Sequence, residues 1–333
     1  MMALDLFFAL VMLAALIAYA LLGCADFGGG IWDLLSAGPR AADQRRQIAQ
    51  AIGPVWEANH VWLIFLIVVL FTCFPAAYAA VSVALFWPLH LILVGIVLRG
   101  ASFVFRAYGS TTAAAERTWS RVFGIASAAT PLLLGICLGA ISTGDLRASA
   151  DAGALNSWRI WVAPFPIVTG LLAFTVSAYL AAVYLAWEST GALQEDFRRR
   201  ALLAWLLAGA ASLVLLALAR PHAARLWASL TTLPAAAIVA AGVILAPASA
   251  LALLNRRYGL TRVLAGAQVA VLLIGWGVAQ HPYLIAPDLT IAGSAAPEPT
   301  LALTAMTLPI GAGVLIPSLW YLFAVFKGKN PEA

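Results

Sequence analysis

Apolar residues run in long blocks along this chain, and the ionisable ones collect in the short stretches between them. The blocks lie at 6–23, 55–73, 77–98, 122–141, 160–187, 201–219, 230–254, 262–279 and 301–326. Each approaches the roughly 20 residues that a helix needs to cross the hydrocarbon core of a bilayer. The pattern predicts an all-α polytopic membrane protein of about nine transmembrane helices. The first block starts almost at Met1, lacks a basic flank and carries Asp5, so it reads as a retained helix and not as a cleaved leader. No connection is long enough to fold alone, and 1–333 reads as a single integral-membrane domain. Within it, 1–141 supplies a first four-helix unit, 158–280 a second, and 301–326 a ninth, peripheral helix.

Composition sharpens that picture. The chain is 63% hydrophobic and 10% charged, with a mean hydropathy of +0.96. A soluble domain of 333 residues cannot keep so much apolar surface from water. The net charge of +5 raises nucleic acid as a partner, but the placement of the charges points to the membrane. With nine spans and the N-terminus outside, Arg147, Arg159, Arg220 and Arg225 fall on the outer face and the other fifteen of 19 basic residues on the inner one. That asymmetry is the positive-inside rule, and it predicts a cytoplasmic C-terminus and no nucleic-acid partner. Cys24, Cys73 and Cys137 are too scattered for a disulfide framework or a metal site.

Punctuation along the chain is sparse. Gly28-Gly29-Gly30 is expected to end helix 1 and to allow a close backbone approach. Ile48, Ile52 and Val55 follow at helical spacing among polar residues, predicting an interfacial helix before helix 2. The short Phe74-Pro75-Ala76 turn predicts that helices 2 and 3 form an antiparallel hairpin. Residues 281–300, rich in proline and glycine, read as an ordered outer loop.

The densest polar cluster is Trp56-Glu57-Ala58-Asn59-His60-Val61-Trp62, at the inner mouth of helix 2. Trp56, Asn59 and His60 share a face, and Glu57 stands about 100° from Trp56. A carboxylate at this depth is costly, which makes Glu57, with Asn59, His60 and Asp26, a candidate for proton handling. The structural alternative is an interfacial anchor, with Glu57 favoured by the positive end of the helix dipole. Arg99 and Arg106 close helix 3, where a lipid phosphate, a carboxylate or the interface itself can receive them. His60 and His90 raise a shared haem, while His222 and His281 fall in outer connections. A proton-coupled transporter using Glu57 and His60 is a further reading, but such folds break their helices near the midplane.

Taken in order, these segments resemble subunit II of the cytochrome bd-type quinol oxidases. The likeness rests on the glycine-rich end of helix 1 through Asp26, on Gly53-Pro54-Val55-Trp56-Glu57-Ala58-Asn59-His60-Val61-Trp62, and on Phe74-Pro75-Ala76-Ala77-Tyr78. Leu98-Arg99-Gly100, Gly275-Trp276-Gly277, Pro282-Tyr283 and Pro317-Ser318-Leu319-Trp320 continue it. The chain departs from the family's pattern where Gly23 replaces an acid, Glu57 replaces a frequent Asp, and His60 replaces Glu or Gln. The resemblance implies a bacterial inner-membrane complex in which subunit I carries haems b and d, while this chain binds no cofactor of its own beyond a quinone. It further implies quinol oxidation outside, reduction of oxygen to water, and proton uptake from the cytoplasm. Glu57, Asp26 and His60 then line a proton path, and Trp56 and Arg99 contact the quinone. Partners implied are subunit I, lipids and a small single-span accessory subunit.

Overall fold

The computed structural model describes residues 4–52, 56–106, 112–147 and 158–327, with 52, 56–58, 113, 323, 326 and 327 described by backbone alone. The helices are α1 Leu4–Leu34, α2 Ala41–Ile52, α3 Trp56–Cys73, α4 Pro75–Ala84, α5 Phe86–Val104 and α6 Ala113–Thr143. They continue as α7 Pro164–Glu188, α8 Gly191–His222, α9 Ala224–Leu230, α10 Leu233–Leu254 and α11 Tyr258–Gln280. The connection after α11 carries a two-stranded antiparallel hairpin, β1 Tyr283–Ile285 with β2 Leu289–Thr290, and the short α12 Ile291–Ser294. The last helix is α13 Glu298–Lys327. Among the described residues eight helices are long and apolar enough to cross a membrane, and α3 with α4 makes a ninth candidate, bent by 119°.

Three sequence expectations are corrected. α1 runs unbroken through Gly28-Gly29-Gly30, because neighbouring helices occupy the space that side chains would fill. A Cβ on Gly28 would overlap the Ser177 carbonyl oxygen of α7, and one on Gly30 would overlap the Ser127 side chain of α6. The simple hairpin of helices 2 and 3 is replaced by three pieces. Pro75 starts α4, Leu85 separates it from α5, and Phe86–Val104 alone forms the next crossing. Finally, several helices outrun their apolar blocks: α6 begins well before Val122 and α8 well before Ala201. Hydropathy stops where Arg117, Arg121 and Arg198 to Arg200 begin, but helical hydrogen bonding continues into the polar interface.

Two cores stack along the bundle. At the arginine-rich end, Ile31 and Trp32 of α1 pack with Ile48 of α2, with Tyr179 to Ala186 of α7, and with residues of α8, α10 and α11. The Trp32 indole N–H donates to the Ala178 carbonyl at 2.7 Å. At the opposite end, Phe8, Cys73, Phe74, Ala77 and Leu85 meet Cys137, Ile160 and Ile285. α1 therefore belongs to both cores, touching α3, α6, α7 and α11. α13 is the outlier, with only 6% of its apolar window buried.

Because α1 is packed through its glycines, Gly28→Ala is expected to destabilise the protein by about 1–3 kcal/mol through overpacking. Gly209→Ala, which faces open space in α8, should be neutral or stabilising by up to about 1 kcal/mol. Thermal midpoints of the two purified variants decide this, and equal midpoints would remove the packing argument.

Candidate functional site

Asp26 and Asp33 lie seven residues apart on α1, two turns along one face and about 10 Å in rise. Arg99 of α5 and Arg106 just beyond its end repeat that interval. The structure matches them rung by rung. Arg99 Nη2 lies 3.0 Å from Asp26 Oδ1 and 3.2 Å from the Asp26 carbonyl, while Nε donates to Ser127 Oγ at 3.1 Å. Arg106 holds both carboxylate oxygens of Asp33, at 3.1 and 3.4 Å. Phe123 of α6 stands between the rungs, its ring centre 5.1 Å from the Arg99 guanidinium and 5.2 Å from that of Arg106.

The inner rung is fully enclosed. Arg99 is 1% exposed and Asp26 5%, so the two charges replace solvent for one another. The hydrogen bonds to Ser127 and to the α1 carbonyl help to make such burial tolerable, since desolvation of each ion costs several kcal/mol. Gly30 is what lets Ser127 approach.

His60 of α3 adjoins this pair through an aromatic contact. Its ring lies 5.9 Å from Phe27 and 6.1 Å from Tyr19, and Phe27 in turn sits 5.2 Å from the Arg99 guanidinium. The Tyr19 hydroxyl, the Asn59 side-chain amide oxygen and the Trp62 indole nitrogen are buried without a hydrogen-bond partner among the described residues. Polar atoms of this kind are ordinarily satisfied by internal water.

Of the residues singled out in the sequence, Asp26, Arg99 and His60 are thus gathered around Phe27. Trp56 and Glu57 open α3, but their side chains lie outside the described residues. His90 is exposed on α5, its Nδ1 2.7 Å from the Phe86 carbonyl and its ring 4.0 Å from that of Phe86. His222 and His281 are exposed at the ends of α8 and α11. Among the described residues no His, Cys, Asp or Glu group has the geometry to hold a metal ion. Asp33, Ser127, Phe123 and Tyr19 were missed in the sequence. A signal for Asp33 existed, because it follows Asp26 by the interval that separates Arg99 from Arg106.

A second charged cluster ties the polar ends together. Arg40 grips Asp196 through two hydrogen bonds of 2.8 and 2.6 Å, Gln44 joins at 2.9 Å, and Arg200 donates to Gln44 at 2.7 Å. It staples α2 and the preceding turn to α8. Arg40 is half exposed, so the staple adds little energy and mainly fixes position.

Comparison with known proteins adds a second line of observation. Residues 4–326 match the family described as cytochrome bd terminal oxidase subunit II. The putative cytochrome bd menaquinol oxidase subunit II of Bacillus subtilis strain 168 is 24% identical over 319 residues, covering 92% of this chain and 91% of that protein. The cytochrome bd-I ubiquinol oxidase subunit 2 of Escherichia coli K12 is 25% identical over 195 residues, 58% of this chain and 51% of that protein. Among solved structures, a chain of the bd oxidase from Geobacillus thermodenitrificans shares the fold, with a TM-score of 0.82 at 23% identity over 99% of this chain and all of that one.

Removing one member of the enclosed pair strands the other. Asp26→Leu and Arg99→Leu should each cost about 3–5 kcal/mol, while the double variant costs clearly less than the two together. Unfolding midpoints of the four proteins close this cycle, and strict additivity would mean that the charges do not compensate one another.

Proposed function

The chain belongs to the cytochrome bd terminal oxidase subunit II family, and from that premise we propose that it supports a quinol oxidase as its second, non-catalytic subunit and lines a proton path into it. Subunit I is the partner in this reading and carries haems b and d, the groups that pass electrons from quinol to oxygen. Quinol oxidation releases protons on the outer side, and reduction of oxygen to water consumes protons drawn from the cytoplasm. Aliphatic, aromatic and amide groups carry no such electrons, so this chain's share is to position, exclude water and move protons.

One observation carries the proton-path part: two ion pairs step inward from the arginine-rich end, Asp33 with Arg106 and then Asp26 with Arg99, with His60 beside the second. The Tyr19 hydroxyl and the Asn59 side-chain oxygen, buried and without a hydrogen-bond partner among the described residues, extend polar ground from α1 to α3, whose first turn holds Glu57. In this reading, water seated on these groups relays the proton between the rungs. Glu57 is the group assigned to gain and lose the proton, while Asp26 is engaged by Arg99 and holds the path's polar wall in place. Arg99 is enclosed by Asp26, Ser127 and two rings, so contact with a quinone is assigned to Trp56.

Two outcomes test this reading. Glu57→Gln keeps shape and hydrogen bonding but holds no exchangeable charge. The complex should assemble with an unaltered haem spectrum, yet turn over more slowly and build less membrane potential, while Glu57→Asp retains most activity. Wild-type turnover in the Gln variant would reduce Glu57 to a helix-end residue. For orientation, a cysteine introduced at 256–257 should react only with a reagent supplied from the cytoplasm, and one at 288–296 only from outside. Background labelling is low because Cys73 and Cys137 are buried and Cys24 is half-buried. Reversed labelling would move the polar column to the other side of the membrane.

A further inference from the structure

At the arginine-rich end, α1, α2, the close of α5 and the start of α6 line a hollow of about 740 Å³ that opens to the surface. We propose that it binds the phosphodiester headgroup of an anionic phospholipid, with the acyl chains running along the exposed apolar stripe of α5 and α6.

The charge balance of the cavity comes first. Five guanidinium groups line it, those of Arg45, Arg46, Arg106, Arg117 and Arg121, against the carboxylates of Asp33 and Glu116. Arg106 and Asp33 satisfy each other. Arg45 is turned to the Ser36 carbonyl at 3.1 Å, and Arg46 reaches Asp43 only at 3.7 Å with both side chains largely exposed. Among the described residues neither Arg117 nor Arg121 forms an ion pair. These two lie four residues apart on α6, where like charges repel and weaken a helix unless an anion lies between them. A guanidinium fork matches two phosphate oxygens at once, and Ser120 on the same wall offers a hydroxyl donor.

The surroundings select a lipid over a free anion. Arg117, Arg121 and Ile125 follow at i, i+4 and i+8, so one stripe of α6 passes from two cations to an isoleucine that is 60% exposed. Val104 and Phe105, at the end of α5, are 47% and 45% exposed. A second hollow of about 230 Å³ adjoins the first, sharing Asp33, Ala49, Arg106 and Glu116 and adding Ile48, Phe103 and Phe123. A ligand seated here meets cations at one end and hydrocarbon at the other. Arginines that served only to orient the chain in the membrane would have no reason to converge on one cavity.

The test uses the protein purified in its native assembly in detergent and needs no activity measurement. Added phosphatidylglycerol should raise the thermal midpoint saturably, while phosphatidylcholine and inorganic phosphate at equal concentration should not. Arg117→Gln with Arg121→Gln should abolish that rise and lower the anionic phospholipid that copurifies, counted by mass spectrometry. Arg117→Lys with Arg121→Lys, which keeps the charge but loses the fork, should retain part of both, and Arg159→Gln, far away in sequence, should retain all. The proposal is overturned if phosphatidylglycerol and phosphatidylcholine act alike on the wild type. It is equally overturned if the Gln pair keeps its lipid, or if inorganic phosphate alone reproduces the shift, which would make this a site for a free anion.

Discussion

A charge placed in hydrocarbon must be neutralised and hydrogen-bonded from within the protein, because no water is there to do it. Arg99 obeys this constraint and shapes what surrounds it. Its guanidinium needs a carboxylate, which fixes Asp26 toward α5; it needs a second acceptor, which brings Ser127 of α6 into contact; and it needs ring faces, which Phe27 and Phe123 provide. The glycines of α1 follow from the same demand. Ser127 can reach Arg99 only if α6 comes close at Gly30, while Gly28 admits α7 on the other side. A tripeptide that looks like a helix breaker is therefore the part of α1 that holds the bundle together.

Hydropathy made the number of crossings legible, and the positions of α3, α7, α10 and α11 follow their apolar blocks closely. Helix ends were not legible in the same way, since hydropathy reports the solvent and not the backbone. α6 and α8 carry their hydrogen bonding through Glu116 to Arg121 and Glu195 to Arg200 into the polar interface. The break at Leu85 was invisible because both flanking pieces are apolar, and only packing distinguishes α4 from a straight start of α5. The site was half legible. Asp26, Arg99 and His60 were suspect as polar groups in apolar surroundings, but nothing local said that Asp26 faces Arg99. That pairing is a contact between distant segments, and a single sequence records it only through the shared interval of seven residues.

The distribution of exposure bears on how such a subunit works. Polar groups of α1, α3 and α5 are turned inward on one another, while α8, α10 and α13 present leucine, isoleucine and valine outward. α13 hardly touches the rest. A surface so uniformly apolar is suited to lipid and to the helices of another membrane chain, and it leaves the internal polar column insulated.

Both ion pairs join residues 73 positions apart, with the acid always first in the chain. During synthesis α1 therefore reaches the membrane carrying Asp26 and Asp33 before Arg99 and Arg106 have been made. An uncompensated aspartate costs about 2.5–3.5 kcal/mol at the centre of a helix on insertion scales, and Asp26 and Asp33 escape that full cost by lying toward the end of α1. The apolar 6–23 block can insert by itself, but the Asp26 to Asp33 end of α1 gains its cationic partners only once α5 has been made. This end of the bundle closes between helices that are neighbours in space but not in time, and a truncation that ends before Arg99 leaves both carboxylates of α1 without their cations.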